Sequence, residues 1–139
     1  ERNIITRSLF EGVVVGDRAK AELISNTIVK NGGGAAFLGT SHVQARGNIV
    51  TLNRFGFMVS PSSRVTMGFN ALQNADGNYV RQGSPPQPAP ELRPESDLTL
   101  EADFVDTSRD DFRLKADTAL AKIGEFPFLG ALPPITESH

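Results

Sequence analysis

Asn26-Thr27-Ile28-Val29-Lys30-Asn31-Gly32-Gly33-Gly34-Ala35-Ala36-Phe37 and Asn48-Ile49-Val50-Thr51-Leu52-Asn53-Arg54-Phe55-Gly56-Phe57-Met58-Val59 follow one plan, 22 residues apart. Each opens on Asn, carries a short apolar piece, meets a second Asn, and passes a glycine into another apolar piece. The beat extends outward in both directions. Asn3, Asn26, Asn48 and Asn70 recur at spacings of 23, 22 and 22, and Gly12, Gly34, Gly56 and Asn78 step by 22. Self-similarity at a fixed period is the signature of a stacked solenoid, whose repeats bury their apolar sides against one another.

At this period every repeat contains three strand-like pieces. Val13 and Val15, Ala35 and Phe37, then Phe57 and Val59 alternate inward after the glycine. Ala21 and Leu23, Val43 and Ala45, then Val65 and Met67 form the second piece. Ile5, Ile28, Val50 and Leu72 mark the third. Alternation over three or four residues signals strands. Three strands in 22 residues leave about four for each corner, too few for crossover helices. The spacing therefore predicts an all-β coil of parallel strands. A sharp corner needs a residue with φ > 0, and Asn tolerates that region. On this reading Asn26, Asn48 and Asn70 make the corners and stack about 4.8 Å apart. Their amides then hydrogen-bond along the stack. Asn31 and Asn53, with Ser8 and Asn74, form a second, looser ladder.

The pattern N-x-I-x-x-N followed by G-x-x-x resembles the right-handed parallel β-helix of the pectate-lyase-like group, over about residues 2–81. The tail, Asp103-Phe104-Val105-Asp106 with Asp111-Phe112-Arg113-Leu114-Lys115 and Ala119-Leu120-Ala121, is similar to the D-F-x-L-x-x-x-S-P-A segment that closes such helices. Thr118-Ala119 stands where Ser-Pro is usual. The resemblance implies a short right-handed parallel β-helix, with three complete coils, partial coils and a C-terminal cap. It also implies an association with carbohydrate, although the group hosts lyases, hydrolases, epimerases and non-catalytic binders.

The expected organisation is coils over 1–81, a proline-rich linker over 82–96, and a capping segment over 97–139 packed on the helix. The linker reading rests on five prolines, at 85, 86, 88, 90 and 94. Residues 1–81 hold 9 Lys/Arg and 5 Asp/Glu, whereas 82–139 hold 5 and 11, so the two parts are set to face different partners or each other. The absence of cysteine excludes disulfides and thiolate metal sites.

Two outward faces invite a function. Val14, Ala36, Met58 and Val80 make an apolar stripe on the first sheet, expected under the C-terminal segment or in a contact between copies. That stripe excludes a carboxylate-based catalytic groove there. On the second sheet, Lys20, His42 and Arg64 form a column, flanked by Glu22, Gln44 and Thr66 and by Ile24, Arg46 and Gly68. Three stacked cations within about 10 Å call for an anion. The candidate ligand-binding residues are Lys20, His42, Arg64, Arg46, Gln44 and Glu22. In the competing reading the acidic tail neutralises this face through Glu91, Glu95, Asp97, Glu101 or Asp103.

No catalytic residue, metal ligand or cofactor motif is assigned. The two histidines, His42 and His139, cannot make a multi-His site, and no calcium loop, phosphate loop or G-x-S-x-G is present. With no Trp and one Tyr, platforms for stacking sugar rings are scarce. The sequence points to non-catalytic binding of an acidic polysaccharide by an extracellular or cell-surface bacterial module. The alternatives are a C-terminal fragment of a polysaccharide lyase or hydrolase, and a purely structural, oligomerising coil. Expected partners are the polysaccharide and a second copy, met through the open N-terminal coil or the first sheet. Neither nucleic acid nor membrane is expected, and no apolar run reaches 18 residues.

Overall fold

Each repeat folds as one coil of three strands, and the coils stack as a β-solenoid. The computed structural model describes residues 1–136; His139 lies outside them. The first coil comprises β1 (Ile4–Thr6), β2 (Glu11–Val15) and β3 (Lys20–Ile24). The second comprises β4 (Thr27–Val29), β5 (Gly33–Phe37) and β6 (His42–Arg46). The third comprises β7 (Ile49–Thr51), β8 (Phe57–Val59) and β9 (Arg64–Gly68). A fourth, partial coil holds only β10 (Ala71–Gln73) and β11 (Tyr79–Arg81). Corresponding strands pair in parallel in the orders β1-β4-β7-β10, β2-β5-β8-β11 and β3-β6-β9. The inward positions expected from the alternation form one core, including Ile28, Phe37, Val50, Phe57 and Leu72. Phe37, Phe57 and Tyr79 stack up its interior with ring centroids 5.6 and 6.3 Å apart.

Two asparagine ladders run along the coils. In the first, Nδ2 of Asn3, Asn26 and Asn48 donates to Oδ1 of the next Asn at 3.1, 3.1 and 2.9 Å. Each acceptor oxygen also takes the backbone N–H of the preceding rung. The second ladder is as ordered as the first. Asn31, Asn53, Asn74 and Asn78 follow one another at 3.2, 3.1 and 3.1 Å, with the Ser8 backbone N–H on Asn31.

The corners differ from expectation in one respect. The residue with φ > 0 is the one before the rung: Arg2, Ser25, Gly47 and Phe69 before the Asn residues of the first ladder, and Arg7 before Ser8, Lys30 before Asn31 and Leu52 before Asn53 in the second. The ladder explains this. Each Asn must aim its amide along the stack while its own N–H donates to the next rung, so the chain reverses one residue earlier. Each non-glycine residue held there costs roughly 1–2 kcal/mol, which the bonds of the ladder offset.

Residues 82–96 differ as well. After β11 the chain turns back, and β12 (Gln87–Pro88) adds an antiparallel strand to β11. A short 3-10 turn, Pro90–Leu92, follows, with Ala89 buried and Leu92 packed on the core. The prolines serve an edge strand and a plug across the end of the solenoid, where a missing N–H is harmless.

The tail packs on a different sheet from the one expected. Phe104, Phe112, Leu114, Leu120 and Leu129 cluster with Val29, Ile49 and Ala71, the outward residues of β4, β7 and β10. It forms two hairpins, β13 (Phe104–Asp106) with β14 (Asp111–Leu114) and β15 (Ala121–Ile123) with β16 (Phe126–Phe128). The stripe on the β2-β5-β8-β11 sheet therefore lies outside this cluster. Val14 is 55% exposed, while Ala36 is buried between Val14 and Met58 in the register, and Val80 lies beside Pro88.

Candidate functional site

The β3-β6-β9 sheet carries the basic column because its register repeats without slip. Lys20 faces His42, and His42 faces Arg64. Glu22, Gln44 and Thr66 form the neighbouring column. Strand alternation turns Ala21, Val43 and Val65 inward and leaves all six polar side chains exposed. Lys20, Glu22, His42, Gln44, Arg64 and Thr66 line one open depression of about 510 Å³. None of Lys20, His42 and Arg64 makes an ion pair among the described residues. Three adjacent donors of this kind, about 4.8 Å apart along the axis, can meet several anionic groups at once. Glu22, Gln44 and Thr66 can exchange hydrogen bonds with hydroxyls beside them.

Arg46, predicted to join this set, is engaged elsewhere. Its guanidinium pairs with Glu125 and lies 5.8 Å above the Phe126 ring. Both partners belong to the β15–β16 hairpin, which packs along the corner after β6. Phe126 also meets Phe69 at 6.1 Å and sits against Gly47, where an added Cβ would come within 2.4 Å of the ring. Arg46 thus fastens the tail and is not among the residues that line the depression.

The tail acids proposed to neutralise the column do not reach it. Glu91 pairs with Arg81 at 3.7 Å, and Asp103 accepts the Thr118 hydroxyl. Asp110 binds Arg7 at 2.6 Å and Lys30 at 3.4 Å; the Arg7 hydrogen bond is the main reason its carboxyl is held below the usual range. Asp111 takes Arg113 at 2.6 Å and is lowered chiefly by that hydrogen bond. These four carboxylates serve local turns or anchors, Glu95 and Glu101 make no ion pair with the column, and no group of three or more metal-ligating side chains forms among the described residues.

Asp97 has the least expected place. It is fully buried and forms the last rung of the first ladder, accepting from Asn70 N at 3.0 Å and Asn70 Nδ2 at 3.2 Å. Its other oxygen accepts the Tyr79 hydroxyl at 2.6 Å. Burial is the largest influence on both groups, and it pushes each above its ordinary pKa. The 22-residue beat hides Asp97, because the excursion through 82–96 places it 27 residues after Asn70. The available signal was chemical: Asp has the shape of Asn, and Leu98 follows it as Ala71 follows Asn70.

No family model, curated protein or solved structure matches this chain. The site is therefore read from its own geometry.

Proposed function

We propose that the outer face of β3-β6-β9 binds an acidic polysaccharide without transforming it, in an extracellular module of the pectate-lyase-like kind. The observation that carries this reading is the exposed Lys20–His42–Arg64 column, in register on adjacent coils. A repeating anion matches a repeating cation column, because each rung then meets its own charge. Among the described residues, Glu22 is the single carboxylate lining the depression. Glycoside hydrolysis ordinarily divides its work between two carboxylates, so the lining favours binding over catalysis.

Equilibrium binding of polygalacturonate, with neutral dextran as control, tests the reading. Binding should weaken steeply with salt, since exposed charges are screened over about 10 Å at 0.1 M. The double variant Lys20→Ala/Arg64→Ala should lose at least about tenfold in affinity, near 1.4 kcal/mol. Polygalacturonate binding that survives the double variant would refute the assignment. A self-associating coil is the second reading, favoured by Leu9, Phe10 and Val14 at 88, 78 and 55% exposure. Light scattering that shows a monomer at high concentration would remove it.

A further inference from the structure

The sheet β3-β6-β9 stops at three strands. The sheet that ends in β12 has five, and β1-β4-β7-β10 gains a fifth rung where Leu98 bridges Ala71. At about 4.8 Å per strand, β9 lies at the foot of a notch roughly 10 Å deep. Backbone phase settles which groups face this notch. Arg64 donates to the Ser41 carbonyl at 2.9 Å, and Gly47 donates to the Gly68 carbonyl at 3.2 Å. The even-numbered residues of β9 therefore point back to β6. Within a parallel strand, the N–H and C=O of one residue point to the same side, so those of Val65 and Met67 point into the notch. Further along, the Phe69 N–H is already taken by Ser96 Oγ at 3.2 Å. The core-facing side chains of Val65 and Met67 are only half-buried, whereas Val43 and Ala45, one coil earlier, are buried. On the outer face, the same strand carries Arg64, the last rung of the basic column.

We propose that this notch accepts an extended peptide that adds a strand to β9, with apolar side chains turned inward and acidic side chains turned outward. Open strand edges pair readily with extended chains. The inward side chains would complete the cover over Val65, Met67 and the neighbouring core. An acidic residue beside Arg64 would continue the charge column, and opposite charges across adjacent strands stabilise a sheet. A second copy of this chain does not fit, because its own β9 is recessed equally far behind β11 and β12. The peptide takes the edge of the sheet and a polysaccharide its face, so this inference does not rest on the polysaccharide reading.

The test uses the full chain and a fluorescein-labelled peptide of alternating Val and Glu, seven residues long with blocked termini, at pH 7. Fluorescence anisotropy should show saturable binding, and amide hydrogen exchange should show Val65 and Met67 slowing when the peptide is added. Two further peptides are N-methylated, one at every Val and one at every Glu. One of the two should bind at least tenfold more weakly. A Val-Lys peptide should bind poorly to the native chain and regain binding to Arg64→Glu. Val65→Pro, which removes a donor unused within the sheet, should lose the peptide while its melting curve stays close to that of the native chain. Three results would overturn the proposal: no binding of the Val-Glu peptide, equal binding of both N-methylated forms and the parent, or a concentration-dependent dimer that Val65→Pro abolishes. The N-methylated peptides are read on the native protein, so their outcome does not depend on any variant folding.

Discussion

Asp97 receives from Asn70 the same pair of hydrogen bonds that Asn70 receives from Asn48. Its Oδ1 lies 3.0 Å from Asn70 N and 3.2 Å from Asn70 Nδ2; the corresponding distances from Asn48 to Asn70 Oδ1 are 3.0 and 2.9 Å. In the first ladder each amide gives one hydrogen to the next rung on the C-terminal side, and the interior ones, Asn48 and Asn70, give the other back to a carbonyl of the preceding coil. The last rung therefore has to accept, and a carboxylate only accepts. Tyr79 completes the closure by donating to the second oxygen at 2.6 Å.

Substitutions at this rung should separate shape from charge. Asp97→Asn keeps an oxygen at the Oδ1 position and relieves a buried charge, so it should be as stable as the native chain at pH 7, or more so. Asp97→Ala leaves the Asn70 amides and the Tyr79 hydroxyl without partners and should cost about 3 kcal/mol. The pH dependence follows from the raised carboxyl, whose main cause is burial. A folded-state pKa above the unfolded value means that the native state holds its proton more tightly. This contribution is fully present below the unfolded pKa and is lost as pH rises through the folded one. The advantage of Asp97→Asn should therefore be largest near neutrality and shrink on acidification, as read by urea denaturation across pH.

An interior rung should matter more than a terminal one. The Asn48 side chain accepts two bonds from Asn26 and donates to Asn70 and to the Leu23 carbonyl, whereas the Asn3 side chain bonds only to Asn26 among the described residues. Asn48→Ala should lose about 3 kcal/mol and Asn3→Ala about 1 kcal/mol, at roughly 1 kcal/mol per net bond plus the cost of stranded donors. Equal losses in chemical denaturation would show that the ladder is not the source of the stability.

Leu52 holds φ at 60° and is 47% exposed. Leu52→Gly removes a backbone penalty of about 1–2 kcal/mol and adds a chain-entropy cost of about 0.5–1 kcal/mol. The melting temperature should hold or rise, against the ordinary expectation for a Leu-to-Gly change. By contrast, Gly47→Ala should destabilise, because the added methyl meets the Phe126 ring; thermal melts of the two variants decide this.

Removing residues 101–139 should leave the ladder closed, because Asp97 and Leu98 remain, but it strips the cover from Val29, Ile49 and Ala71. The product should keep its β-sheet circular dichroism and associate, as read by light scattering. A clean monomer would show that this face needs no cover.

The repeating part of the molecule was legible in the sequence because each rung of a solenoid rests on a copy of itself. The period, the three strands per coil, the inward alternation and the Lys20–His42–Arg64 register all follow from one spacing repeated along the chain. What broke the period depended on tertiary structure. The reversal at Ser25 rather than Asn26 follows from where the ladder needs the Asn amide, which is a demand made by the neighbouring coil. Arg46 was drawn to Glu125, 79 residues away in the chain. The tail chose the outer face of β4-β7-β10, where each three-residue strand turns one apolar residue outward (Val29, Ile49 and Ala71), over the stripe through Val14 and Met58. Asp97 found the end of the Asn ladder only after the chain had crossed the solenoid. Segments without a repeat have no neighbouring copy to set their place. They settle where long-range burial and unpaired hydrogen-bond donors offer the most, and those are properties of the assembled coil.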